Sequence, residues 1–329
     1  MDSSEASSTS SLLAQWDALC DGYTHVFYQN ERKINFFLGL LAEFRTAGIE
    51  AIPLKGMDFL LRAYPFSGLR PMADIDLLIQ GEAVSHVRQT LESKGLKRVP
   101  DEGLTYVSSD GVITLDIIWD IWYLKDTAPL WERLVSHHVH GVEVHFLHPE
   151  DTLTYFIDFV VTHRGILSPL FAKDLEYFLE REGFRINWTN WIARVKELHF
   201  DPAFYYGLSY AKQKDMHGIP VEVTDAFRPV GIWKRGLRFF YRVRATGRGM
   251  FPISYLRTWL SYPGLKGKVR LLRQSFFPRK CEVEIRYGKK NWAEYFLWIL
   301  LHPFSIFVRG IVFFARDAYL FLRRSCFHL

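Results

Sequence analysis

The sequence predicts an α+β fold: a small mixed sheet with flanking helices, then a helical domain, then a basic, aromatic, helical C-terminal tail. Three observations carry this. Short apolar runs bounded by Gly, Pro and Asp concentrate between residues 49 and 148. On either side of that window, apolar residues recur at helical spacing. Hydrophobic residues make up 49% of the chain and charged ones 23%, the balance of a folded chain that can bury a core. The expected division is a tail and helices over 1–48, a core over 49–148, a helical domain over 149–226 and a basic aromatic region over 227–329.

Residues 1–11 are Ser-rich, lack the basic start and apolar run of a secretory signal, and are expected to fray. Leu12–Tyr28 and Glu31–Ala47 each show helical spacing, and the polar pair Gln29-Asn30 is expected to separate two helices. Gly48 closes the second as a C-cap. Ile49–Leu54 is expected as the first core strand and Met57–Ala63 as a helix stopped at Tyr64-Pro65. A turn at Ser67-Gly68 leads to a second strand, Asp74–Ile79, and to a helix over Glu82–Lys94 closed by Gly95. Asp110-Gly111 between Leu104–Ser108 and Val112–Trp119 signals a β-hairpin. Val142–Leu147 reads as another short strand. From Pro149 the pattern is helical through Leu179, and again over Trp188–Leu198 and Ala203–Lys212.

The chemistry concentrates between Pro53 and Gln80. Asp74 and Asp76, spaced i, i+2 on a strand, point to one face. Carboxylates that close resist joint ionisation, and a hard divalent cation with oxygen ligands offsets them. Gly56, at the junction of strand and helix, lets the backbone approach an anion at the helix N-terminus. Beside it, Lys55 can meet phosphate as a point charge. Arg70 can grip phosphate bidentately, or instead pair with Asp74 or Asp76 and keep an empty site neutral. Asp58, in the first turn of the following helix, is expected to compensate the helix dipole. Carboxylates opposite a phosphate-cradling turn suggest nucleotide chemistry.

Leu54-Lys55-Gly56 followed by Arg70-Pro71-Met72-Ala73-Asp74-Ile75-Asp76-Leu77-Leu78 resembles the uncharacterised bacterial nucleotidyltransferases of the DNA polymerase β-like superfamily. In that superfamily a Gly-Gly or Gly-Ser turn precedes an Asp-x-Asp strand, and a third Asp comes from a later strand. The subfamily this chain is most similar to carries Lys-Gly at the turn. The resemblance spans residues 49–179 and implies a nucleotidyltransferase sheet. It implies that Asp116, in Leu115-Asp116-Ile117-Ile118-Trp119, is the third metal ligand, although Ile118 stands where the family usually has His. It further implies an NTP substrate such as ATP, Mg²⁺ as cofactor in a two-ion arrangement with Mn²⁺ as a substitute, and NMP transfer to a hydroxyl. Asp116 could also take the acceptor's proton. His163, followed by Arg164 and by Lys173-Asp174-Leu175, resembles the family's helical segment after the core, which implies a His facing the nucleotide, with a capped, structural His as the competing expectation. The acceptor is left open among a small molecule, a sugar, a peptide and a protein.

Two other enzyme classes use Asp-x-Asp, namely metal-dependent glycosyltransferases and Asp-nucleophile phosphatases. Both place the pair after an apolar strand, whereas here the acids open the strand. The alternative that Ile118 keeps alive is a catalytically silent protein of the same fold, serving as a membrane-surface or partner-binding module.

His137, His138, His140, His145 and His148 lack the spacing of a zinc centre and read as structural or solvated. Cys20, Cys281 and Cys326 show no metal or redox spacing and suit a reducing cytoplasm. The net charge of +5 is modest and no RNA-binding motif is present, so nucleic acid is not the expected partner. Basic residues interleave with aromatics after Phe227. Residues 292–322 are apolar but interrupted by His302-Pro303 and Arg309, so neither part reaches the roughly 20 clean residues of a spanning helix. Arg309, Arg316 and Arg323 recur every seven residues as a basic ridge. Such a helix suits an anionic membrane surface, with a buried terminal helix or an oligomer interface as the competing expectation. The expected location is cytoplasmic, peripheral on the inner face of the membrane.

Overall fold

The computed structural model describes residues 3–99, 103–121, 123–124, 126–164 and 167–230, with scattered positions between 259 and 308. The architecture is α+β and divides into two compact units, Met1–His148 with Glu180–Glu182, and Pro149–Leu179 with Gly183–Leu329.

The first unit opens with α1, Ser3–Thr46, a single helix where the sequence predicts two. Gln29 and Asn30 do not break it. Asn30 is 1% exposed, and its amide donates to the carbonyls of Ser67 (2.6 Å) and Arg70 (2.7 Å), so its polarity is used by a neighbouring loop. Beyond it, Ile34, Phe37, Leu41 and Phe44 form a buried stripe at helical spacing. Gly48, at φ 69°, ends the helix as expected.

Next come β1 (Ala51–Leu54), α2 (Lys55–Arg62), β2 (Ile75–Ile79), α3 (Val84–Ser93), β3 (Lys97–Arg98), β4 (Thr105–Val107) and β5 (Thr114–Ile118). The strands form one sheet in the order β1-β2-β5-β4-β3, parallel between β2 and β5 and antiparallel elsewhere. Every residue of β1 and β2 is buried, the pattern of strands covered on both faces. The predicted β4–β5 hairpin is present, with Gly111 at φ 69° in its turn.

After α4 (Ala128–Trp131), β6 (Val135–Val139) and β7 (Val142–Phe146) pair as an antiparallel ribbon. Only the second of these strands is evident in the sequence. The connecting residues His140 (φ 48°) and Gly141 (φ 80°) both take left-handed backbone, as a two-residue hairpin turn requires.

Asp58 does more than face a helix dipole. Its carboxylate is buried and receives Arg62 Nε (2.5 Å) and Nη2 (2.9 Å), while Arg62 Nη1 reaches the carbonyl of Leu147 (3.3 Å) and the guanidinium lies 5.1 Å from the Phe146 ring centroid. The pair ties α2 to the end of β7.

The second unit is helical: α5 (Pro149–Asp158), a π-helical stretch Phe159–Arg164, α6 (Pro169–Glu182, its last three residues grouped with the first unit), α7 (Trp188–Glu197), α8 (Asp201–Lys212) and α9 (Val221–Ala226). The single helical run expected to Leu179 is thus divided. Ser168 starts α6 afresh, its Oγ accepting from the Phe171 amide, with Pro169 at the first helical position. Trp191 anchors the core between Phe204 and Phe227, and its indole donates to Thr154 Oγ1 (2.9 Å) and the Glu150 carbonyl (3.1 Å). Buried Glu150 and Asp151 both pair with Arg194.

Among the described residues no helix is long and apolar enough to cross a membrane. The basic cluster at 234–248 and Arg309, Arg316 and Arg323 lie outside the described residues.

Candidate active site

The sheet register builds the site. Leu54, Asp76, Asp116 and Thr105 are successive partners across β1, β2, β5 and β4, so Asp76 and Asp116 stand side by side on the parallel pair. Asp74 lies one residue before β2 rather than in it. The carboxylate oxygens of Asp74, Asp76 and Asp116 all fall within 4.8 Å of one another. Thr105 Oγ1 donates to Asp116 Oδ1 (2.6 Å) and fixes that carboxylate from the neighbouring strand.

Lys55 is the cation nearest to hand. Its Nζ lies 2.5 Å from Asp76 Oδ1, with the two side chains 13% and 3% exposed. Lys55 opens α2 in left-handed backbone, φ 49°, a conformation that costs a residue other than glycine about 1–3 kcal/mol. At this left-handed position the chain places a cation rather than a glycine.

Gly56 also makes room for its neighbours. A Cβ there would lie 2.8 Å from Arg70 Nη1, 3.2 Å from Met72 Cγ and 3.3 Å from Met72 Sδ. The missing side chain makes room for the buried Arg70 guanidinium, which is thereby brought to the strand–helix turn. His163 falls in the π-helical stretch of the second unit, and its side chain lies outside the described residues.

Four contributors escape the sequence reading. Asn30 and Glu31 hold the loop after α2: Asn30 through the two carbonyls above, Glu31 by accepting from Ser67 Oγ (2.7 Å). Lys33, buried on the same helix, donates to the Met72 carbonyl (2.7 Å). Burial holds its pKa below the usual lysine value, against the opposing pull of Asp74. Thr105 is the fourth. The signal for Asn30 and Lys33 is their place on the stripe that Ile34 and Phe37 continue, where polar residues need partners.

Burial pushes the Asp76 carboxyl up to about 6; Lys55 pulls it down, and Asp74 and Asp116 add to the rise. Three oxygen donors facing one lysine suit a hard divalent cation. Because a metal binds the ionised carboxylate, Mn²⁺ affinity is expected to fall by about tenfold per pH unit below 6 and to level off above 7. Mn²⁺ titrations between pH 5 and 8 check this, and a flat profile would count against Asp76 as a ligand.

The mixed α+β sheet thus brings two carboxylates on its central strands, and a third from just before β2, to one place. The chain belongs to the uncharacterised nucleotidyltransferase family, whose model matches residues 8–214. It is also similar to the crystal structure of an antigenic nucleotidyltransferase-like protein from Paracoccidioides brasiliensis, at 17% identity over 49% of this chain and 76% of that one, with a TM-score of 0.34. No curated protein matches the chain.

Proposed function

We propose that this protein is an Mg²⁺-dependent nucleotidyltransferase that moves an NMP from an NTP to a hydroxyl acceptor. The observation that carries the reading is the convergence of Asp74, Asp76 and Asp116 within 4.8 Å, beside Lys55. These carboxylates would hold the metal, two Mg²⁺ ions sharing them, with Mn²⁺ as a substitute. Bound there, the ions supply charge stabilisation on the attacking and leaving oxygens of an in-line displacement. Lys55 meets the triphosphate as a point charge and Arg70 grips it bidentately over the Gly56 turn. The acceptor oxygen bonds to the α-phosphorus, the bond to the bridging oxygen breaks, pyrophosphate leaves, and Asp116 takes the acceptor's proton. His163 is assigned to the nucleotide through the family likeness alone.

In this reading residues 49–148 carry the chemistry, 149–226 support it, and 227–329 attach the protein to an anionic membrane surface from the cytoplasmic side. Residues 231–329 hold 20 of the 41 basic residues but four of the 36 acidic ones. At the described positions Phe296, Leu297, Leu300, Leu301, Phe304 and Val308 are helical and 53–72% exposed. Apolar side chains in water beside a basic chain suit a lipid interface. The full chain is expected to float with phosphatidylserine vesicles and not with phosphatidylcholine alone.

Calorimetric titration of each NTP, with and without Mg²⁺, followed by an assay for pyrophosphate release, tests the enzymatic reading. Binding that requires Mg²⁺ is the expected result. A well-folded protein that binds no NTP under either condition overturns it.

A further inference from the structure

The loop between α2 and β2 is held from one side by α1. Asn30 takes the carbonyls of Ser67 and Arg70, Glu31 takes the Ser67 hydroxyl, and Lys33 takes the Met72 carbonyl. On its other side the same loop lays Arg70 and Met72 against Gly56. Met72 is two residues before Asp74, so Lys33 grips the backbone close ahead of the first carboxylate.

A lysine so placed is costly. It gives up most of its hydration for a single carbonyl bond, in a spot where a leucine or methionine would fill the same space. Only part of that cost is returned as electrostatic offset to the carboxylates. A cation placed merely to neutralise them would sit on a carboxylate, as Lys55 does. Lys33 bonds to backbone instead.

We propose that Lys33 is a positioning residue for the metal centre, holding the Met72 carbonyl so that Asp74 is presented to the ion at a fixed distance from Asp76 and Asp116. The inference rests on the metal-site reading above. It makes the long helix α1 part of the active machinery, since Asn30, Glu31 and Lys33 together splint the loop that carries Arg70 and delivers Asp74.

The test compares Lys33→Met with wild type by Mn²⁺ titration in electron paramagnetic resonance, alongside circular dichroism and thermal melting. Methionine fills the space without the charge or the donor, so the variant is expected to fold and melt close to wild type. Its Mn²⁺ affinity is expected to fall by about 10–100-fold, the usual effect of losing support behind a ligand. The sign is diagnostic. Deleting a positive charge beside three carboxylates would by electrostatics alone tighten Mn²⁺ binding, so equal or tighter binding overturns the proposal. Lys33→Gln, which keeps a donor but no charge, is expected to bind Mn²⁺ better than Lys33→Met. Lys33→Leu, which also lacks the donor and the charge, takes the place of Lys33→Met if the methionine variant does not fold, and wild-type or tighter affinity in it overturns the proposal. Asp76→Asn separates the two levels. Wild type that binds Mn²⁺ no better than Asp76→Asn defeats the metal reading itself, whereas Asp76-dependent binding unaffected by either Lys33 variant defeats only the inference.

Discussion

Asp76→Asn is expected to cut Mg²⁺-dependent NTP affinity by about a hundredfold or more, or about 3 kcal/mol, while making the metal-free protein more stable at pH 8. Both effects come from one carboxylate. The loss of affinity follows because Asp76 is the central member of the row, beside Asp116 on β5 and within reach of Asp74. The gain follows from linkage. The folded-state pKa of Asp76, about 6, is raised above its unfolded value near 4. Its stabilising contribution is therefore fully present below about pH 4 and is lost as pH rises through 6. Asparagine is neutral at every pH and escapes that loss, so the variant should match wild type at pH 4 and exceed it at pH 8 by on the order of 2–3 kcal/mol. Chemical denaturation at the two pH values, without divalent ions, measures this. A variant less stable than wild type at pH 8 would mean that the lost Lys55 pair outweighs the relief of burial.

Arg62→Met is expected to destabilise the first unit by about 3–5 kcal/mol. The substitution leaves the Asp58 carboxylate buried without its two guanidinium bonds and removes the link from α2 to the Leu147 carbonyl. Thermal midpoints should fall by on the order of 10 °C. Removing both partners is another matter. Asp58→Leu combined with Arg62→Met puts apolar side chains in a site already walled by Phe146, and most of the loss should be recovered. If the double variant melts no higher than the single, the penalty belongs to the lost bond to Leu147 and the stacking on Phe146, not to a stranded charge.

The site's carboxylates were legible because their signal is local. Asp74 and Asp76 sit two apart where an apolar strand opens, while Asp116, on the hairpin that Asp110-Gly111 marks, was picked out through the family resemblance. The partners that hold the site were not legible, because each satisfies a group far away in sequence. Asn30 looks like a helix break until the carbonyls of Ser67 and Arg70 are seen to fill its amide. Lys33 looks like a surface lysine on an amphipathic helix. Asp58 offered a usable clue: Arg62 stands four residues on, the spacing of a helical ion pair, but spacing does not reveal that both are buried. The first strand of the β6–β7 ribbon was hidden by its histidines. The long-range bond from His145 Nδ1 to Glu50 (2.9 Å), in the partner strand, shows one way in which they are accommodated.

The parallel contact between β2 and β5 also sets the order in which this protein becomes itself. As the chain is made, β2 emerges first, then α3, β3 and β4, and only afterwards the strand that must slot between β2 and β4. Until that insertion the third carboxylate has no fixed place beside the other two. A divalent ion that needs all three therefore favours the finished sheet over every earlier state, adding to native stability in proportion to the logarithm of its concentration above the dissociation constant. Under the proposed metal reading, a divalent ion bound there would hold the completed fold together before any nucleotide arrives.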